Sequence, residues 1–262
     1  MVGRAIAPRW SPVRRMGYGA GLRACVQSLR RRHRKLPPIL LLKSGPGLTL
    51  ADVDEVIPID PGAYAGIPLT GTRYYGPEIH YKLEVFNVRG YERIVYLDCD
   101  TLALDDISPL WDMKKYLEKS LYAVRETADM GVHPFNVDKF NTGVMVVNQP
   151  LLCGNAYRRL LEIARSGKFY DGGDQAVINH YLEQEPGANP GELDAQYNVM
   201  VLVKKYGQWD KIKHRIKILH YTNRLKPWAA DHYRDFLFDA EFKRLWDEAY
   251  GLSPVPFQDS ET

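Results

Sequence analysis

The sequence predicts an α/β fold in one domain. Short apolar runs bounded by turn residues alternate with stretches of helical length and helical periodicity. No repeat or low-complexity block interrupts that alternation, and Pro186 to Gly191 is the only plausible internal linker. The chain has 262 residues, long enough to bury a sizeable core in one large domain. The domain is expected over residues 1–250, with 251–262 as a loose C-terminal tail.

Each element has a local reason. Ala5 to Ala7 reads as a short first strand cut off by Pro8. Tyr18 to Arg32 reads as a helix, because Leu22, Val26 and Leu29 fall on one face. Ile39 to Leu42 and Val53 to Ile59 are compact apolar strands, and Gly62 to Tyr75 is a Gly-rich loop. Pro77 opens a helix whose buried face carries Ile79, Leu83 and Phe86 and which Gly90 closes. Strands follow at Ile94 to Leu97, Leu121 to Val124 and Val144 to Val147, with Asn141 and Thr142 placed ahead of the last. Helices are expected over Ala156 to Arg165, Gln175 to Glu183 and, towards the end, Asp231 to Tyr250. Ile216 to Tyr221 alternates as a strand, with Ile216, Ile218 and His220 on one face.

Composition narrows the function classes. The apolar and charged fractions, 45% and 26%, are those of an ordinary globular protein. Three cysteines, Cys25, Cys99 and Cys153, are odd in number and not closely paired. They argue against a disulfide framework or a cysteine zinc site, and favour a reducing, cytoplasmic setting. No apolar run approaches the ~20 residues that span a bilayer, and no signal peptide is expected. The net charge of +3 is unevenly spread: residues 1–51 hold 11 Lys and Arg and no acid, the remainder 24 bases against 32 acids. The run Arg30-Arg31-Arg32-His33-Arg34-Lys35 reads either as a solvated helix end or as a surface for an anionic acceptor or membrane. No nucleic-acid recognition motif accompanies it, so no nucleic-acid partner is expected.

The chemistry concentrates where the strand Ile94 to Leu97 ends in Asp98-Cys99-Asp100. Open α/β sheets bind ligands beyond the carboxyl ends of their strands. In extended chain, residues two apart point to the same face, and carboxylates that close repel unless a cation sits between them. A hard divalent ion resolves the conflict and in turn binds phosphate oxygens. His220 also ends a strand, and two carboxylates with an imidazole suit Mn2+ and accept Mg2+. Lys226, beside Pro227 and Trp228, can hold a phosphate as a point charge. Asp171, Gly172, Gly173, Asp174 and Gln175 precede a helix, where acids cap and where backbone, acid and amide groups also suit a sugar's hydroxyls.

These stretches together resemble the glycogenin-like retaining glycosyltransferases, glycosyltransferase family 8, from about Gly17 to Trp228. "YERIVYLDCDTLALDDISPLWD", "FNTGVMVVNQP", "FYDGGDQAVIN" and "ILHYTNRLKPW" stand in the family's order. The resemblance implies a single Rossmann-like nucleotide-diphospho-sugar transferase domain of the GT-A type, with a mixed central sheet. It implies Asp98, Asp100 and His220 as metal ligands and Tyr18 packed on uracil. Lys82 is implied near the sugar and phosphates, and Asn141, Asp171, Asp174 and Gln175 at sugar-binding positions. Lys226 is implied on the diphosphate. The implied partners are a UDP-sugar donor, UDP-glucose or UDP-galactose first, and a hydroxyl acceptor, with a homodimer open. The sequence departs from the family at Pro8-Arg9-Trp10, where a Thr/Asn-rich nucleotide loop is usual, and at Asn223, where glycine is common. Self-glucosylation, the reaction of glycogenin itself, is not expected of Tyr206. The alternatives are a haloacid dehalogenase-like phosphohydrolase, which also places acid-x-acid after an apolar strand, and a nucleotide-sugar binding protein without turnover.

Overall fold

The computed structural model describes residues 2–5, 18–44, 53–68, 76–126, 139–152, 154–169, 173–222, 226–228 and 240–251. In chain order the strands are β1 (Val2–Ala5), β2 (Leu40–Lys43), β3 (Glu55–Pro58), β4 (Arg93–Leu97), β5 (Thr101–Ala103), β6 (Leu121–Arg125), β7 (Phe140–Asn148), β8 (Pro190–Glu192), β9 (Val199–Met200) and β10 (Ile218–His220). The helices are α1 (Tyr18–Arg32), α2 (Asn155–Ser166), α3 (Asp174–Gln184), α4 (Trp209–Ile212) and α5 (Ala240–Tyr250). Pro77–Asn87 forms a 3-10 helical segment.

Seven strands build the main sheet in the order β3-β2-β1-β4-β7-β6-β8. The run from β3 to β4 is parallel, and β7 lies antiparallel to both β4 and β6. The sheet is therefore mixed, and β4 stands where parallel pairing gives way to antiparallel. Strands β2, β4, β6 and β7 are buried on both faces, which accounts for apolar runs such as Leu40–Leu42, Ile94–Leu97 and Val144–Val147. Alternate residues go to opposite layers. Ile94 and Tyr96 of β4, with Met145 and Val147 of β7, pack under the 77–87 segment, α2 and α3. Val95, Leu97, Val144 and Val146 face the α1 residues Leu22, Val26 and Leu29.

A three-stranded sheet, β5-β10-β9, sits beyond the end of β4. Its apolar cluster joins α1 to α5 through Phe242, Trp246 and Trp228. Gly21 of α1 lets this corner close: a methyl there would lie 2.7 Å from the Trp228 ring and 2.8 Å from the Cys99 carbonyl. The helix thus approaches the Asp98-Cys99-Asp100 turn as closely as backbone allows.

The structure corrects several expectations. The 140s strand begins at Phe140, so Asn141 and Thr142 lie within it and are buried, not ahead of it. Pairing with β6 sets Asn141 opposite Val124, and the Gln175 side chain takes the Thr142 N–H. Pro186 to Gly191 is no linker, since Pro190 and Gly191 belong to the edge strand β8. The first strand lies over Val2–Ala5, earlier than expected, and residues 6–7 are outside the described residues. Ile216 precedes β10 and joins a different apolar cluster from Ile218. Gly90 sits two residues beyond Val88, which ends the 77–87 segment. The last helix is described from Ala240; residues 231–239 and the tail beyond Gly251 lie outside the described residues.

The arginine run fits the helix-end reading. Arg30, Arg31 and Arg32 fill the last turn of α1, where the helix dipole favours cations. Arg30 lies 3.6 Å from Asp54, and Arg31 donates to the Glu248 carbonyl. Among the described residues, no helix is long and apolar enough to cross a membrane.

Cys25, buried on α1, contacts the Thr101 hydroxyl at 3.5 Å. Burial pushes its thiol up to about 12; the Thr101 bond opposes the rise, and the charges of Asp100 and Asp98 add to it. The thiolate is the reactive form. In the folded protein at about pH 8, Cys25 is therefore expected to escape maleimide labelling that mass spectrometry detects after unfolding. Equal labelling in both states would show that this corner opens.

Candidate metal centre

Backbone pairing brings the distant residues together. The Asp98 N–H donates to the Gly143 carbonyl at 2.8 Å, which extends the β4–β7 ladder by one bond. The chain then turns, with Thr101 N–H and Thr101 Oγ1 both donating to the Asp98 carbonyl, at 3.1 and 2.7 Å. The two acids therefore converge across a turn, not along an extended strand. β5 follows and pairs antiparallel with β10, so His220 stands opposite Thr101. The Tyr221 N–H donates to the Asp100 carbonyl at 2.8 Å and closes the arrangement.

One ligand atom each from Asp98, Asp100 and His220 lie within 4.8 Å of one another. His220 Nε2 is 3.3 Å from Asp100 Oδ1 and 3.9 Å from Asp98 Oδ2. Two ligands of one Mn2+ or Mg2+ ion stand about 3 Å apart when each bond is near 2.1 Å. Two carboxylates and one imidazole form a mixed oxygen–nitrogen set of the kind that takes such an ion. These residues fit a divalent metal.

Lysines back both acids. Lys82, at the centre of the 77–87 segment and 3% exposed, donates to Asp98 Oδ2 and to Thr142 Oγ1, both at 3.1 Å. It also lies 2.7 Å from Asp174 Oδ2 at the start of α3. Tyr96 OH donates to Asp98 Oδ1 at 2.6 Å. Lys226 is ion-paired with Asp100 Oδ2 and donates to the Tyr221 carbonyl at 2.7 Å. Burial raises the Asp100 carboxyl, but the charges and hydrogen bonds of Lys226 and His220 outweigh it and hold that group well below the usual carboxylate range.

Asn141 and Gln175 meet at a residue the sequence did not single out, Glu126, just past β6. Its Oε1 accepts from Asn141 Nδ2 at 2.9 Å and from Gln175 Nε2 at 3.1 Å. Gln175 Oε1 accepts from the Thr142 N–H at 3.3 Å. A second unanticipated residue, Asn198, bonds both Asn141 and His220. Gly143 is the third, and the His220 ring lies against it. Asp98, Asp100, Asp174 and Glu126 thus share one cluster with Lys82 and Lys226. Among these side chains four carboxylates outnumber two ammoniums, and a divalent cation would balance the difference.

Of the expected site residues, the structure gathers Lys82, Asp98, Asp100, Asn141, Asp174, Gln175, His220 and Lys226 in this one cluster. Tyr18 opens α1, with its side chain outside the described residues, as are Asp171 and Asn223. A separate cavity of about 350 Å³, lined by Asp194, Gln196, Arg215 and Ile216 among others, contains none of the cluster.

Fold and site define an α/β protein of the GT-A glycosyltransferase type, with a polar, metal-competent end to its central strand. Residues 67–232 match the family model "Glycosyl transferase family 8", and the chain belongs to that family. A glycogenin from Komagataella phaffii is 28% identical over 67% of this chain and 47% of its own length. Inositol phosphorylceramide glucuronosyltransferase 1 from Arabidopsis thaliana is 27% identical over 60% of this chain and 29% of its own. The chain thus spans half or less of either relative. The crystal structure of the galactosyltransferase LgtC, in complex with donor and acceptor sugar analogs, superposes with a TM-score of 0.65 at 19% identity. That likeness covers 97% of this chain and 96% of the other, and it shows the same fold. Family membership across Asp98, Asp100 and His220 sets aside the phosphohydrolase alternative.

Proposed function

We propose that the protein is a metal-dependent retaining glycosyltransferase that moves a hexose from a UDP-sugar to an acceptor hydroxyl. The observation that carries this reading is the meeting of Asp98, Asp100 and His220 at one point, with Lys82 and Lys226 behind them. UDP-glucose and UDP-galactose are the favoured donors, and Mn2+ the favoured ion with Mg2+ accepted. Held by those three residues, the ion would neutralise the donor's diphosphate.

The residues of the cluster divide the remaining work. Negative charge grows on the diphosphate as it leaves the anomeric carbon. Lys226 can exchange its Asp100 contact for that charge. Stabilising charge where it develops is usually the largest single contribution to the rate. Positive charge grows on the sugar ring, and the Asp174 carboxylate offsets part of it. Lys82 holds Asp174 and Asp98 together and so orients both. Gln175 is held at both ends of its amide, by Glu126 and the Thr142 N–H, and positions the sugar without acting as a nucleophile. The acceptor hydroxyl attacks from the face that UDP leaves, its proton passing to the departing phosphate, and the anomeric configuration is retained.

UDP release from UDP-glucose and UDP-galactose, with and without Mn2+, tests the proposal. Metal-dependent sugar release is expected; saturable UDP binding with no release across an acceptor panel would leave a binding protein instead. Lys226→Ala is expected to lower kcat by about 10²–10³-fold, the usual cost of removing a group aimed at developing charge. Donor affinity should fall much less, and steady-state kinetics showing only a raised KM would contradict the role.

A further inference from the structure

The polar chain behind His220 has a direction, and it can be read without seeing a hydrogen atom. Asn141 is the fixed point. Its Oδ1 accepts from the Gly143 backbone N–H at 3.0 Å, a group that can only donate. Its Nδ2 donates to the Glu126 carboxylate at 2.9 Å, a group that can only accept. Two independent neighbours thus orient the same amide. Asn141 Oδ1 then takes Asn198 Nδ2 at 2.7 Å, which turns Asn198 Oδ1 towards His220 Nδ1 at 2.8 Å. A carbonyl oxygen there requires the imidazole to carry its proton on Nδ1. In the neutral imidazole that a metal takes, the lone pair is then on Nε2, the atom facing Asp100 and Asp98.

We propose that Glu126, Asn141 and Asn198 form a polarity relay that sets the tautomer of His220, with Asn198 the positioning residue that presents the bare Nε2 to the metal. The inference rests on the metal reading of the site and deepens it. All four side chains are buried, between 1% and 6% exposed, so water does not compete for these bonds. The relay also joins two halves of the site. Glu126 binds Gln175 as well as Asn141, so the residues expected around the donor sugar and the imidazole expected on the metal share one hydrogen-bonded chain. Outer partners of a metal-ligating histidine fix its ring orientation and tautomer, and losing one typically costs 10–100-fold in metal affinity.

The test has two arms. The first is 15N NMR of the metal-free wild type, with His220 assigned by its loss in His220→Gln. A proton is expected on Nδ1 whether or not Nε2, facing Asp100, carries a second one; a bare Nδ1 overturns the relay. The second is Mn2+ affinity by calorimetry for the wild type, Asn198→Leu and Asn198→Asp. Asn198→Leu removes the acceptor, and a loss of about 10–100-fold is expected. Asn198→Asp keeps an acceptor for Nδ1–H and should lose less than about tenfold. Wild-type affinity in Asn198→Leu overturns the relay. Should Asn198→Leu not fold, the wild-type NMR arm still decides. A wild type that binds no Mn2+ yet carries its proton on Nδ1 sinks the metal reading and leaves the relay standing.

Discussion

Asp100→Asn is expected to lower metal-dependent sugar transfer on the order of a thousandfold while the protein remains folded. Metal neutralisation of transition-state charge is worth several kcal/mol, and each ~1.4 kcal/mol is tenfold in rate. The substitution removes one of two carboxylates that face the same point, and a neutral amide oxygen is a far weaker ligand for a hard ion. Stability changes from two opposed causes. Lys226 loses its charged partner, which is costly for a pair whose side chains are each only 11% exposed. Repulsion between Asp98 and Asp100 is relieved at the same time. Asparagine keeps the shape and can still accept from Lys226, so the thermal transition is expected to remain cooperative. Full activity in this variant would remove the metal from the mechanism.

Gly143→Ala is expected to be nearly as damaging, though the glycine has no functional group. A methyl on Gly143 would lie 2.5 Å from His220 Nδ1 and closer still to Cε1. The ring cannot retreat freely. It is 4% exposed, bonded to Asn198 on one side and facing Asp100 on the other. Displacing it breaks the Asn198 bond and moves Nε2 off the ligand point together. A loss of about 10–100-fold in Mn2+ affinity is expected once the imidazole loses the partner that orients it. A stability loss of about 1–3 kcal/mol is expected from overpacking. Calorimetric Mn2+ titration with a denaturation curve checks both. Unchanged affinity would mean that the ring has room the structure does not show.

The two acids and the histidine are legible in the sequence because each ends an apolar run, and a strand's carboxyl end is where α/β sheets place ligands. The local reason for their convergence is different from the expected one. Alternation along a strand predicts it from the sequence, whereas a turn closed by Thr101 brings Asp98 and Asp100 together. Asn141 and Thr142 read as standing ahead of a strand because Asn is a common turn residue. Pairing to β6, with Asn141 opposite Val124, turns that stretch into a buried strand. Glu126 looks like an ordinary charge after an apolar run, and Asn198 like a loop residue. Nothing local distinguishes either, since their partners Asn141, Gln175 and His220 come from other elements. Gly143 belongs with them, because its demand for a bare Cα comes from His220, far along the chain.

If Asp98, Asp100 and His220 hold one divalent ion that in turn grips a diphosphate, UDP binding depends on the ion and on the imidazole. Calorimetric titration of UDP into the protein, once with Mn2+ and once in chelator, decides this, with His220→Gln alongside. Tight UDP binding is expected with Mn2+, with binding largely lost in chelator and in the variant alike. Equal affinity for UDP with and without the ion would contradict it.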